Sequence, residues 1–336
     1  MLQHTLSVRR KFIAYLILYS LLVGSSYCIY YVLNKVYFTK ITVYERQHLF
    51  VDRGQSLSDV ANHLQEISDF DSSFIFIIYA KLMNAAKSIK PGEYDISNGL
   101  TMENILNKIV KQDSVRHRFT IIEGWNQDSL MGKININLAS LPQHYINNTA
   151  IESIPILNGS SEGLFYPDTY FFNYPDNHYN VLQRANRKML VVLKDEFENK
   201  SNLATYNNMY EGLIVASLIE KETAIVSEKP LIAGIIMQRL KLKMKLQIDA
   251  SVRYGVKNFR YGLKQSELKK DTPFNTYIHY GLPPTPIAIP SLSSIHAAFH
   301  PVKTSYLYYV AKEDGTHQFS KNLREHRSAI KKYLRK

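Results

Sequence analysis

Two acids, Glu220 and Glu222, stand two residues apart in Ala216-Ser-Leu-Ile-Glu-Lys-Glu-Thr223. Read at ~100° per residue, residues 210–224 form a helix on which Leu213, Ala216, Ser217, Glu220 and Ala224 share one stripe. Glu220 is therefore expected to point inward, and Glu222 to lie nearly opposite, in reach of water. A carboxyl held among apolar neighbours loses hydration when it ionises, so its pKa rises and it can keep a proton near neutrality, as a general acid must. The same inward position also suits a structural carboxylate paired with an Arg or Lys from elsewhere in the chain.

Other groups that could do chemistry follow. In residues 241–249 the period switches to two: Leu242, Met244, Leu246 and Ile248 alternate with lysines, Gln247 and Asp249. This predicts a strand that presents Gln247 and Asp249 on its polar face. Upstream, Glu162-Gly-Leu-Phe-Tyr-Pro-Asp-Thr-Tyr-Phe carries Glu162 and Asp168 in a stiff aromatic loop, with Asp168 expected as a turn residue. Downstream, Asn275 and Tyr277 precede the proline-rich residues 281–290, which can hold an extended path beside a cleft. His296 and His300 have the four-residue spacing that metal sites use, but the sequence around them offers no obvious third ligand, so they are read as capping or packing groups and no metal is assigned.

These groups need elements to position them. Ser227 as a cap, with Pro230 in the first turn, predicts a second helix packed in tandem with the first, its buried stripe made by Ala233, Ile236, Met237 and Leu240. Residues 179–197 read as a scaffold helix with Leu182, Ala185, Met189, Val192 and Leu193 inward. Residues 291–300 read as a short helix stopped by Pro301, residues 306–311 and 317–319 as a hairpin turning at Glu313-Asp-Gly315, and residues 322–336 as a basic helix. Further upstream a unit repeats: Gly54-Gln-Ser-Leu-Ser-Asp and Gly99-Leu-Thr-Met-Glu-Asn each offer a Gly turn, a Ser or Thr cap, and an acid or amide at the third helical position. A looser echo begins at Gly124, after an alternating run over residues 116–122. Between the first two units, residues 74–83 read as a packed helix and residues 90–95 as a turn entering a strand. Residues 133–161 are Asn- and Ser-rich without a sustained period and read as a connection.

From residue 12 to residue 33 the chain carries no charge, and Arg9, Arg10 and Lys11 precede the run. That is long enough to cross ~30 Å of hydrocarbon as a helix, and the basic cluster predicts a cytoplasmic N-terminus with the bulk of the chain outside. The run is long for a cleavable signal, so an uncleaved anchor is expected. The net charge of +12 suggests an anionic partner, lipid or wall polymer. Nucleic acid is disfavoured, because the basic residues are scattered and no zinc finger, RNP motif or phosphate loop is visible. The 24 Tyr and 15 Phe suit flat amphipathic ligands such as sugar rings, and the single Cys28 supports neither a disulfide framework nor a Cys metal site.

Ala216-Ser-Leu-Ile-Glu-Lys-Glu-Thr223, Leu246-Gln-Ile-Asp249, Phe274-Asn-Thr-Tyr277, Gly281-Leu-Pro-Pro284, His300-Pro301 and Tyr306-Leu-Tyr-Tyr-Val310 occur in the order and spacing of the endolytic murein transglycosylases of the YceG-like family, which this chain resembles over nearly its whole length. Two departures are Ile248-Asp249-Ala250, where the family usually has Thr-Asp-Pro, and residues 285–290, where it has a Gly-rich stretch. The resemblance implies an α+β protein with a cytoplasmic tail (1–11), a transmembrane anchor (12–33), a LysM-like module (41–132), a connection (133–161) and a catalytic domain (162–336). It implies a lyase of the bacterial inner membrane that cuts nascent peptidoglycan glycan strands internally, near the synthases, without a cofactor. Under it the catalytic acid maps onto Glu220, and Glu162, Gln247, Asp249, Asn275 and Tyr277 become substrate-binding candidates. An inactive glycan-binding scaffold and a two-carboxylate hydrolase are the alternatives.

Overall fold

In the computed structural model, residues 2–44, 48–70, 72–96, 99–139, 141, 159–256 and 263–334 are described. The apolar run forms α1 (Leu2–Leu33), which continues through a π-helical turn, Asn34–Phe38. Residues Arg9–Phe38 are long and apolar enough to cross a membrane, and their apolar eighteen-residue window has a mean hydropathy of 1.8 and is not buried in the protein.

The chain divides into two units, one of Met1–His117 with Phe172–Asp176, the other of Arg118–Phe171 with Asn177–Lys336. In the first, β1 (His48–Val51) is followed by α2 (Leu57–Ile67), α3 (Ser73–Leu82), β2 (Gly92–Asp95) and α4 (Met102–Lys111). β1 and β2 pair antiparallel, His48 opposite Asp95 and Val51 opposite Gly92. The repeated sequence unit is a repeated device. Ser56 and Thr101 cap α2 and α4, and Asp59 and Asn104 reach back to the cap amides, so both helices start on a capping box. Gly54 and Gly99 precede these caps with φ of +80° and +97°, a backbone that other residues adopt at a cost. Leu49, Val60, Leu64, Phe76, Ile105 and Ile109 fill this unit's core.

β3 (His117–Ile121) leads to the third echo, where Gly124 has a φ of +79° and Asn126 Oδ1 accepts from Ser129 N at 2.9 Å. The helix it starts, α5 (Gln127–Ala139), occupies the opening of the stretch expected as a connection; residues 140 and 142–158 of that stretch lie outside the described residues. β4 (Asp168–Phe172) pairs with β3, and α6 (His178–Glu198) buries Leu182, Ala185, Met189 and Leu193 as expected, while Val192, also expected inward, is half-buried.

The centre of the second unit is α7 (Met209–Glu222), buried at every position from Gly212 to Ile219, as an all-round apolar helix must be. α8 (Lys229–Lys241) packs beside it, then come α9 (Asp249–Gly255), α10 (Gln265–Leu268), α11 (Leu292–Phe299), the antiparallel hairpin of β5 (Tyr308–Ala311) and β6 (His317–Ser320), and α12 (Leu323–Tyr333). Gly212 is the contact between α7 and α11: a Cβ there would stand 2.2 Å from the Phe299 ring.

Two expectations are corrected. Ser227 does not cap α8; it lies in a 3-10 turn, Val226–Glu228, and no side chain caps that helix. Residues 242–248 form no strand, although Leu246 and Ile248 are buried and Gln247 and Asp249 exposed, as the alternation required. Lys243 and Gln247 each have a φ of +50°. The backbone groups a sheet would have paired are bonded otherwise: Arg239 Nη1 donates to Lys245 O at 3.2 Å and Leu246 O at 2.6 Å, and Gln247 N donates to Thr276 O at 3.1 Å.

Candidate active site

The two acids at the end of α7 occupy different surroundings, and the environments expected of them from the helical stripe are not the ones they meet. Glu220 does point inward, but what meets it there is polar. Its Oε2 accepts from Ser294 Oγ and Ser291 Oγ, each at 2.6 Å, from Ser291 N at 3.0 Å and from Lys229 Nζ at 3.2 Å. Lys229 also donates to Ser291 Oγ and Ser293 Oγ, both at 2.9 Å. Burial by itself would raise the Glu220 carboxyl, but the Ser291 and Ser294 hydroxyls, the Ser291 amide and the Lys229 charge outweigh it and hold the group below the usual carboxylate range. These bonds all favour the ionised carboxylate. It ties α7 to the start of α8 and to the N-terminus of α11.

Glu222, expected in water, lines a cleft of about 760 Å³ together with Lys221, Gln247, Asp249, Arg253, Tyr277 and Tyr309. Burial pushes its carboxyl up and the charge of Asp249 adds to this, against the Tyr309 hydroxyl, His317 and Arg253, which pull it down. Tyr309 Oη donates to Glu222 Oε2 at 2.6 Å. The chain brings these groups together from distant elements, Glu222 from the last turn of α7, Asp249 from the first of α9, Tyr309 from β5. Across the cleft Tyr277 Oη donates to Asp249 Oδ1 at 2.6 Å. That bond, and its opposition to Asp249, raise the Tyr277 phenol after burial has already done so. Arg239 enters the cleft wall with its guanidinium committed to the backbone at Leu307, Lys245 and Leu246, so it braces the strand-like segment carrying Gln247.

Of the substrate-binding candidates, Gln247, Asp249 and Tyr277 line this cleft. Glu162 does not. It is 2% exposed, its oxygens accept from Gln127 N at 3.0 Å and from Tyr254 Oη at 2.8 Å, and it serves the first turn of α5; burial raises its carboxyl against those bonds. Asn275 is wholly buried. Its Nδ2 donates to Leu268 O and Lys270 O, and its Oδ1 accepts from Tyr277 N at 3.0 Å, so it shapes the turn that presents Tyr277. The proline-rich segment also departs from expectation: Ile287, Ala288 and Ile289 are buried, Ile287 N donates to Ser217 Oγ at 3.0 Å, and Leu282, Pro283 and Pro284 line a separate hollow of about 400 Å³. Glu222, read from the sequence as a water-facing acid, lines this cleft together with Arg253 and Tyr309, which the sequence did not single out. The signal for Tyr309 lay in the Tyr306-Leu-Tyr-Tyr run; the signal for Glu222 was its place in the last helical turn, where a side chain reaches past the helix end to whatever packs there.

Comparison with known proteins adds an independent finding. The sequence model of the YceG-like family matches residues 49–332. An endolytic murein transglycosylase of Bacillus subtilis is 30% identical over 305 residues, covering 84% of each chain. One from Streptococcus pneumoniae is 25% identical over 313 residues, covering 82% of this chain but 56% of that longer protein. A crystal structure of a YceG-like protein from Listeria monocytogenes aligns with a TM-score of 0.54 at 27% identity, covering 87% of this chain and 99% of that one.

Proposed function

The chain belongs to the YceG-like family, and from that premise we propose that it is a peptidoglycan lytic transglycosylase, endolytic and membrane-anchored, with Glu222 as its acid. One observation carries the assignment of the acid: the Glu222 carboxyl, raised by burial, opens on a wide polar cleft beside Asp249, whereas Glu220 is spent on Lys229 and two serines.

Protonated Glu222 donates to the oxygen that links MurNAc to GlcNAc. That carbon–oxygen bond breaks with its electron pair on the departing oxygen, and positive charge develops on the MurNAc ring. Glu222, now a carboxylate, takes the proton of the same sugar's C6 hydroxyl as that oxygen closes on the anomeric carbon. The products are a 1,6-anhydroMurNAc end and a GlcNAc hydroxyl, with no water consumed and no cofactor required. Because the second nucleophile is internal, one carboxyl that switches roles suffices, where hydrolysis normally uses two. Asp249, held by Tyr277, offers negative charge to the developing cation, and Gln247 offers hydrogen bonds to sugar hydroxyls.

The remaining assignments follow the same reading. Residues 12–33 anchor the chain in the bacterial cytoplasmic membrane with the N-terminus inside and the catalytic unit outside, where nascent strands and their synthases lie. The order β1–α2–α3–β2 supports a LysM-like module that holds glycan.

The test is to incubate the protein with uncrosslinked glycan strands and identify new ends by mass spectrometry. Anhydro ends from the wild type and from Glu220→Gln, with a loss of about 10²–10⁴-fold for Glu222→Gln, are expected. Reducing ends instead would make water the acceptor and Asp249 the second carboxylate of a hydrolase. Binding of glycan with no cleavage at all would leave only the scaffold.

A further inference from the structure

α6 and α11 carry three donor groups that the glycan chemistry does not use. Glu196 stands near the end of α6, His296 in α11, and His300 at its C-cap. His296 Nδ1 lies 3.1 and 3.2 Å from the two Glu196 oxygens, and His300 Nε2 lies 3.1 Å from Glu196 Oε2. One ligand atom from each residue falls within 4.8 Å of the other two. The imidazoles stack, with centroids 4.3 Å apart and planes inclined by 27°.

The two rings thus aim one nitrogen each at a single carboxylate, which gathers two nitrogen donors and one oxygen at one place. With the nitrogens facing the carboxylate unprotonated, the same three atoms can each give a lone pair to one divalent ion. Ligand bonds of ~2.0–2.1 Å in a tetrahedron set donor atoms roughly 3.3 Å apart, close to the nitrogen–oxygen separations present. The frame is also rigid. Phe197 and Phe299, each beside a ligand in sequence, pack edge to face at 6.3 Å, and Ser201 N donates to Phe299 O at 3.0 Å. The Glu196 side chain is 14% exposed, His300 30% and His296 59%, which places the carboxylate on the protein side and leaves the fourth corner to water.

We propose that Glu196, His296 and His300 bind a divalent transition-metal ion of the zinc class and thereby clamp α6 to α11. Two imidazoles and one carboxylate suit Zn²⁺, whereas Ca²⁺ and Mg²⁺ prefer all-oxygen shells. The site stands apart from the Glu222 cleft, whose lining includes none of the three residues. The clamp acts on the helix whose other end, through Ser291 and Ser294, holds Glu220.

The experiment uses the tag-free full-length protein in detergent, stripped with chelator, and titrated with Zn²⁺ by calorimetry and with Co²⁺ by visible absorption. One equivalent is expected to bind with micromolar or tighter affinity, with the intense bands of four-coordinate Co²⁺. Saturating Zn²⁺ should raise the melting temperature by about 5 °C. His296→Ala and Glu196→Gln should each weaken binding more than ~100-fold, beyond the 10–100-fold typical of groups that only orient a ligand. His296 is mostly exposed, so His296→Ala should melt like the wild type without metal, which keeps a binding loss distinct from misfolding. Absence of a saturable site below about 100 µM Zn²⁺, or equal binding by the wild type and both variants, would overturn the proposal.

Discussion

At the scale of the residue, the contrast between the surroundings of Glu220 and Glu222 is the informative result, and the roles proposed for them separate by measurement. Glu220→Gln removes the anion from a buried Lys229, and an uncompensated buried charge costs about 3 kcal/mol, so denaturation should show lost stability while the product ends stay anhydro. The pH dependences run oppositely. The Glu220 carboxyl is held low in the fold, so its contribution to stability is present above the unfolded pKa and is lost as pH falls through the folded value. The Glu222 carboxyl is held high, and with Glu222 as the proposed proton donor, turnover should be full in acid and fall as pH rises through that raised value. Neighbours should move this basic limb in a predictable sense. Tyr309→Phe deletes a bond that lowers the Glu222 pKa and should shift the limb upward, while Asp249→Asn deletes a charge that raises it and should shift the limb down; pH–rate profiles of the two variants check both directions.

Among the elements, α7 and α11 form the contact on which the site depends, because α11 supplies Ser291 and Ser294 to Glu220 and its last residue, Phe299, seats against Gly212. A methyl at Gly212 would meet that ring at 2.2 and 2.4 Å. Phe299 is wholly buried and cannot swing away, so Gly212→Ala should cost about 1–3 kcal/mol by overpacking, although alanine is the better helix former. Thermal melts of the variant decide the sign. The residues 242–248 make a second point at this scale. Only residues 246–249 keep the in–out alternation of a strand, Leu242 being exposed, and the segment joins no sheet because Arg239 and Thr276 satisfy its backbone. Period two therefore located Gln247 and Asp249 on the open side correctly while naming the wrong element.

For the whole molecule, the proposed anchoring by the apolar N-terminal helix and the +12 charge would act on location and encounter rather than on the chemistry. A chain begun at Lys40 should cleave soluble glycan strands in vitro at the rate of the full-length protein, yet fail to replace it in cells, since a soluble enzyme is not held at the membrane where strands are made. Binding to sacculi or anionic vesicles should weaken as salt rises, because exposed charges are screened beyond ~10 Å at 0.1 M.

What the sequence determined by itself was periodic or local. The span, the paired Ser56 and Thr101 capping boxes, the scaffold helix α6, the hairpin of β5 and β6, and the inward direction of Glu220 all follow from hydrophobic period and turn chemistry within about twenty residues. The order of motifs also pointed to the family. What only the tertiary structure decided was which groups each side chain meets. A helical wheel tells inside from outside, but not that Lys229, Ser291 and Ser294 wait inside for Glu220, nor that Asp249 and Tyr309 enclose Glu222. The pair His296 and His300 lacked a third donor for the same reason, Glu196 being a hundred residues away in the chain. A carboxyl's protonation depends on the charges and donors within a few ångströms of it, and those come from elements whose meeting no local pattern records.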